Sequence, residues 1–294
     1  MKRIITLLLA AALIFAVFAG CKPTEPEFTP SGSPTDVESD VVPADEPETA
    51  DEVTTLTPGT LTVGMEIGYP PMEYLADDGV TPIGFDVDVA TELAARLGLE
   101  LKLEDTAWDA IFTSLDANRY DVIISSVSIT PSRQENYNLT RPYISNKLVL
   151  ITRADSTVTD PSELTGLNVA VQTDTTSDEY MVKLQDEGLV LDGYYVYDKV
   201  IQAFDELKIG RVDAVMVDSV VAAYYLFDDS ESFRTAWENT EGEPLGLCLK
   251  KGNDTLTAAI ETVIDEMYAD GTMTEIAAKN FGPQFSESVL SGTR

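Results

Sequence analysis

The 294-residue chain has no histidine, only two cysteines, and 19 Lys and Arg against 51 Asp and Glu. Without histidine, Ser-His-Asp and Cys-His nucleophile pairs and the usual His-based zinc sites are excluded. Two cysteines permit one disulfide at most, and fewer if either is modified. Nucleic-acid binding needs a basic face, and a net charge of −32 denies it one. The same charge keeps the molecule soluble and favours small cationic ligands through the overall field. Membrane-length apolar sequence is also lacking. The run from Ile4 to Ala19, interrupted only by Thr6, is too short for a comfortable span.

That short run has a different use. Lys2 and Arg3 precede it and Gly20-Cys21 follows it, which is the order of an export signal. With Phe-Ala-Gly before Cys21 it resembles a bacterial lipoprotein signal, so residues 1–20 are expected to be removed and Cys21 lipidated. Phe18, three places before the cysteine, is an untypical residue for such a signal. Cleavage would take away two basic groups and no acidic ones, moving the net charge from −32 to −34. Cys248 would then be the sole thiol. Residues 21–59 are rich in Pro, Glu, Asp, Ser and Thr and cannot bury enough apolar surface to fold, so an acidic disordered linker is expected there.

From Thr60 onward strand and helix signals alternate, which indicates an α/β class. Leu61, Val63 and Met65 alternate as a strand. Phe85, Val89, Leu93 and Leu97 repeat every four residues as one helical face, which Gly98 can end. Leu99, Leu101 and Leu103 predict the next strand, Trp108, Ile111 and Leu115 a short helix, and Asp121 to Ile124 a buried strand. The chain then echoes itself. LDANRYDVIISS (Leu115–Ser126) aligns without a gap on LKIGRVDAVMVD (Leu207–Asp218), and LTVGME (Leu61–Glu66) pairs with LNVAVQ (Leu167–Gln172). Two echoes in the same order predict two lobes of similar build.

In open α/β sheets, ligands sit beyond the carboxyl ends of strands. Those ends here are Glu66, Ser125 to Ser128, Thr173 to Thr176, and Asp218. Thr130 can cap a helix that starts at Pro131. Arg133 would lie in its first turn, where a cation is unfavourable unless an anion accompanies it. A guanidinium grips a carboxylate through two parallel hydrogen bonds. Asp218, ending the buried run AVMV, could serve as a helix cap or receive an ammonium group. An arginine and an aspartate on opposite lobes would describe a site for a zwitterion.

Several pieces together resemble the solute-binding proteins of ATP-driven polar amino acid importers, family 3 of the extracellular solute-binding proteins. They are YPPMEY (Tyr69–Tyr74), GFDVD (Gly84–Asp88), the run from Trp108, YDVIISSVSITPSR (Tyr120–Arg133) with RPY (Arg141–Tyr143), GRVDAVMVD (Gly210–Asp218) and DGTMTEIAAKNFG (Asp270–Gly282). The resemblance covers nearly all of Thr60 to Gly282. It implies a two-lobed, type II periplasmic-binding-protein-like fold with a hinge and an interlobe cleft. Lobe 1 would be discontinuous, at 60–147 plus 245–282, with lobe 2 at 148–244 and a C-terminal tail at 283–294 without strong pattern.

The resemblance also implies roles. Arg133, Ser126, Ser128 and Thr176 would hold an α-carboxylate. Asp218, helped by the backbone around Ser126, would hold the α-ammonium. Glu66, Tyr69 and Trp108 would meet the ligand side chain. A carboxylate at Glu66 and an aromatic pair both favour a cationic tip, hence arginine, lysine or ornithine. Met72 stands where the family often has Phe, and Asp174 where a glycine is common. No cofactor, metal or catalysis is implied. The expected partners are an L-amino acid and an ABC permease with its ATPase. The implied placement is a lipid-anchored monomer on the extracytoplasmic face of the cell membrane. Two other functions compete: an exported cyclohexadienyl or arogenate dehydratase on the same fold, and a ligand-sensing partner of a signalling receptor. Dehydratase substrates need a second carboxylate site, for which the sequence offers no assignable residues.

Overall fold

The computed structural model of the protein describes residues 53–293. The expected export signal, the expected lipidation site Cys21 and most of the expected acidic linker therefore lie outside the described residues. The first sheet starts with β1 (Thr60–Met65). The small hairpin β2 (Tyr74–Leu75) and β3 (Pro82–Ile83) leads into α1 (Phe85–Arg96) and β4 (Glu100–Asp105). Then come α2 (Trp108–Asp116), β5 (Val122–Ser128), α3 (Pro131–Asn136) and β6 (Tyr137–Leu139). The chain crosses to a second sheet through β7 (Leu148–Arg153), β8 (Asn168–Gln172), α4 (Thr176–Asp186) and β9 (Gly193–Tyr197). That half continues with α5 (Val200–Lys208), β10 (Ala214–Asp218), α6 (Ser219–Asp228) and β11 (Phe233–Glu238). The chain returns to the first sheet as β12 (Leu245–Lys250), followed by α7 (Asp254–Asp270), α8 (Thr272–Phe281) and α9 (Pro283–Leu290).

Strand order is β4-β1-β5-β12-β6 in one sheet and β11-β7-β10-β8-β9 in the other, so the fold is α/β with two lobes. The chain passes between sheets twice, and the two passages touch where Glu243 N–H donates to Asn146 O at 2.8 Å. The apolar stripe of α1 buries Phe85, Val89 and Leu93 against β1 and β5, with Met72 fully buried beside it. Met72 thus fills a core position, and its thioether packs where a ring could stand. Gly98 ends that helix with a φ of +69°, a conformation glycine adopts at no steric cost.

The internal echo has a physical basis. Asp121, just before β5, accepts Thr62 N–H at 2.9 Å and returns its own N–H to Thr62 O at 2.9 Å. In the second lobe Asp213 accepts Asn168 N–H at 2.9 Å and returns its N–H to Asn168 O at 2.7 Å. Each aspartate pins the same point of a parallel strand pair, Val63 beside Val122 and Val169 beside Ala214. Leu115 and Leu207 are buried beneath these turns. The repeated residues are those that set the register of two equivalent central pairs.

The structure differs from the sequence reading at three places. First, β5 does not stop at Ile124 but runs to Ser128. Pairing with β12 shifts register between Gly246 and Cys248, and Ser126 takes a φ of +49°. Such a bulge carries polar residues inside a strand and re-aims their side chains. Second, Pro283–Leu290 form α9, with Pro283 at its first turn and Ser286 buried, and beyond it Thr293 is hydrogen-bonded to Tyr268 at 2.7 Å. Third, ordered contacts begin before Thr60, since Leu56 N–H donates to Asp121 at 2.6 Å.

Candidate functional site

The carboxyl ends of the central strands face one another across the interlobe cleft, around a small cavity of about 20 Å³. Glu66, Tyr69, Trp108, Ser126, Ser128, Arg133, Thr176 and Asp218 all line it. The structure brings together every side chain that the sequence reading placed at a binding site within the described residues. The first lobe contributes Glu66 after β1, Tyr69 in the following loop, Trp108 at the start of α2, and Ser126, Ser128 and Arg133 from β5 and α3. The second lobe contributes Thr176 and Asp218.

Arg133 sits in the first turn of α3, which Thr130 caps by accepting the Arg133 N–H at 3.2 Å. Its Nη1 donates to Ser128 O at 3.1 Å, and its guanidinium lies 5.5 Å from the Trp108 ring and 5.1 Å from that of Phe112. Burial pushes this guanidinium below its ordinary range, opposed by the charges of Glu179 and Glu243. A half-buried guanidinium with one hydrogen bond to protein among the described residues is suited to grip an anion.

Asp218 ends β10 and begins α6, yet its side chain makes no capping bond there. Instead Oδ2 accepts the Tyr69 hydroxyl at 2.6 Å and Oδ1 accepts Asn146 Nδ2 at 2.6 Å. Burial, then the charge of Glu243, pushes its carboxyl up to about 7, although Tyr69 and Asn146 pull the other way. A carboxylate this reluctant to ionise gains most when a cation arrives.

Glu66 and Gln172 are equivalent positions of the echo and meet directly, Gln172 Nε2 donating to Glu66 Oε2 at 2.7 Å. The other Glu66 oxygen, Oε1, is buried and has no hydrogen-bond partner. Burial pushes this carboxyl up to about 7, opposed by Gln172 and by Lys199. Ser126 Oγ is likewise buried without a partner. Ser126 N–H is committed, because it donates to Asp86 Oδ2 at 2.9 Å.

That bond belongs to a buried cluster behind the site. Asp86 Oδ1 accepts the Tyr143 hydroxyl at 2.6 Å, and Glu73 Oε1 accepts the Ser125 hydroxyl at 2.6 Å. Burial and the neighbouring Asp86 charge push Glu73 well above the ordinary carboxylate range, and its second oxygen, Oε2, is buried without a hydrogen-bond partner. The pair holds Ser125 and Ser126 from beneath and fixes the positive φ of Ser126. YPPMEY and GFDVD carry these two acids, but the sequence reading gave neither a role.

The lobes are joined directly across the cleft. Besides the Tyr69–Asp218 and Gln172–Glu66 bonds, Trp108 Nε1 donates to Asp174 O at 3.0 Å and Lys199 Nζ to Ile67 O at 2.8 Å. Asp174 has a φ of +53°, which accounts for glycine being common at that position in the family. Aspartate is among the few other residues that tolerate it. Thr176 is the first residue of α4, and Thr175 caps the helix by accepting Asp178 N–H at 3.2 Å. Gln172, Asn146, Glu73 and Glu243 went unassigned in the sequence reading. Of these, Gln172 could have been found, since the echo places it opposite Glu66.

A guanidinium from one lobe, a carboxylate from the other and a partly unsatisfied glutamate beyond them define a receptor for a small polar molecule. The family of bacterial extracellular solute-binding proteins, family 3, matches residues 61–283, and the chain belongs to it. Among its relatives is the L-cystine-binding protein TcyJ of Escherichia coli strain K12, 34% identical over 226 residues, covering 76% of this chain and 83% of that protein. An ancestral arginine-binding protein bound to arginine is 32% identical with a TM-score of 0.72, covering 76% of this chain and 99% of that one. A mutant of ArgBP from T. maritima is 34% identical with a TM-score of 0.70, covering 76% and 95%.

Proposed function

We propose that the protein is the extracytoplasmic, non-enzymatic binding component of an ABC importer for an L-amino acid, with a basic side chain as its preferred cargo. The observation that carries this reading is the pairing of Arg133 and Asp218 from opposite lobes around one small cavity. Arg133, with the hydroxyls of Ser126, Ser128 and Thr176, holds the α-carboxylate. Asp218 holds the α-ammonium. Tyr69 and Trp108 flank the side chain, and Glu66 Oε1 receives its distal cation. A ligand that touches both lobes favours their closed arrangement, which is what a permease can recognise. Relatives that bind arginine or cystine support an amino acid as cargo. In this reading residues 1–20 are the export signal and Cys21 carries the lipid anchor. Lobe 1 is 60–147 with 245–282, lobe 2 is 148–244, and the protein works as a monomer.

Calorimetric titration of protein stripped of carried-over ligand, against the common L-amino acids plus ornithine and cystine, tests this assignment. Arginine, lysine or ornithine is expected to bind tightest. Glu66→Gln keeps the shape of the site and removes the distal charge, so it is expected to weaken basic amino acids tenfold or more and leave glutamine nearly unchanged. Equal weakening of glutamine and arginine would remove Glu66 from side-chain selection, and tightest binding of a neutral amino acid to the wild-type protein would overturn the basic preference. Turnover of arogenate or prephenate to an aromatic product at catalytic rates would replace the transport assignment with an enzymatic one.

A further inference from the structure

The hydroxyls assigned to the ligand carboxylate already have a carboxylate between them, and it belongs to the protein. Ser128 Oγ, from the first lobe, donates to Glu243 Oε1 at 2.6 Å. Thr176 Oγ1, from the second lobe, donates to the same oxygen at 2.5 Å. The two hydroxyls are 3.4 Å apart. Glu243 lies on the second passage between the lobes, anchored by its own N–H to Asn146 O on the first passage. Its charge is the leading charge acting on Asp218 and also acts on Arg133.

We infer that Glu243 is a built-in competitor for the α-carboxylate clamp, whose side chain must leave Ser128 and Thr176 before an amino acid can seat. This rests on the clamp assignment made above for Arg133, Ser128 and Thr176. Two hydroxyl protons shared with Oε1 cannot also be given to an incoming carboxylate. Two unprotonated carboxylates at hydrogen-bond range of the same donors also repel one another strongly in a part-buried site. Ligand binding therefore exchanges one carboxylate for another, and the measured affinity reflects only the difference. A binding-competent form populated at a fraction f lowers the apparent affinity by that fraction. Placing the competitor on an interlobe passage also couples its departure to the segment that bends when the lobes move.

Removing the competitor is expected to tighten binding, which loss of a merely structural contact would not do. The stripped full-length protein and its Glu243→Ala variant are titrated calorimetrically with L-arginine and L-lysine. The variant is expected to bind the better of the two at least tenfold more tightly. Glu243→Gln, which keeps an oxygen acceptor but no charge, is expected to fall between wild type and Glu243→Ala, and it serves as the reading if the alanine variant does not fold. Unchanged or weaker binding by the folded variants would overturn the inference. Arg133→Ala is run alongside to separate the two layers. If it abolishes binding while the Glu243 variants fail to tighten it, the clamp stands and the competitor alone falls. If it leaves affinity unchanged, both fall.

Discussion

Arg133→Ala is expected to abolish measurable amino acid binding while leaving the protein folded. The guanidinium packs over Trp108 and Phe112 at the surface of the cleft, and α3 keeps its Thr130 cap without it, so little of the core depends on this side chain. The ligand depends on it heavily. Truncating one partner of a buried, hydrogen-bonded charge pair costs about 2–5 kcal/mol. That corresponds to roughly 30- to 5,000-fold in affinity. Arg133→Lys is expected to recover only part of the loss, because an ammonium cannot make the two parallel bonds of a guanidinium. Calorimetry gives the affinities, and thermal unfolding without ligand shows whether the fold has been spared. An alanine variant that binds within threefold of wild type would remove Arg133 from the carboxylate clamp.

Asp218→Asn is expected to have an effect of similar size on binding and the opposite effect on stability. In the free protein Asp218 is pushed up to about 7, chiefly by burial. A folded-state carboxyl raised above its unfolded value takes up a proton on folding. Its favourable contribution is complete below the unfolded value near 4 and is lost as pH rises towards 7. Asparagine carries no such penalty, so the variant should melt higher than wild type at pH 8, with the difference fading below pH 4. Binding moves the other way, because an ammonium needs the ionised carboxylate. Below pH 7 wild-type Asp218 must release a proton to bind, and Glu66, also near 7, must release another to meet a basic side chain. Affinity for arginine should be level above pH 7 and fall as pH drops, by about tenfold per unit for each group. Proton release, read by calorimetry in buffers of different ionisation enthalpy, should disappear for one of the two groups in Glu66→Gln, which still binds measurably. Constant affinity from pH 8 to pH 5.5 would contradict this account of both carboxyls.

The sequence carried a large part of this architecture because the relevant signals are local. Apolar spacing marked α1 and β1, and the Thr130-Pro131 pair marked the start of α3. The repeated Leu, Arg and Asp disclosed equivalent strand pairs because two of those residues, Asp121 and Asp213, fix the same register. The site residues lay at predicted strand ends, where an α/β sheet presents them to a ligand. Non-local features were not legible in the same way. The bulge that extends β5 to Ser128 depends on its pairing with β12, more than a hundred residues later. Helix α9 is only eight residues long, and Ser286 is its buried residue, so it leaves no apolar periodicity to read. Glu243 sits among other acidic residues of an interlobe passage, and it meets Ser128 and Thr176 only through the fold, at sequence separations of 115 and 67 residues. Glu73 and Asp86 come from YPPMEY and from the first turn of α1, and neither acid gives a separate sign of a place beneath the site.

The central claim is that the cleft holds an amino acid by both of its charged ends. The most direct test compares L-arginine with agmatine and L-lysine with cadaverine in calorimetric titrations of the stripped protein at pH 7.5. Each amine keeps the distal cation and the α-nitrogen but lacks the carboxylate that Arg133 is assigned to hold. The account predicts that each amine binds at least 100-fold more weakly than its parent amino acid. Amines that bind as tightly as their parents would show that Arg133, Ser128 and Thr176 do not hold a carboxylate, and would contradict the account at its centre.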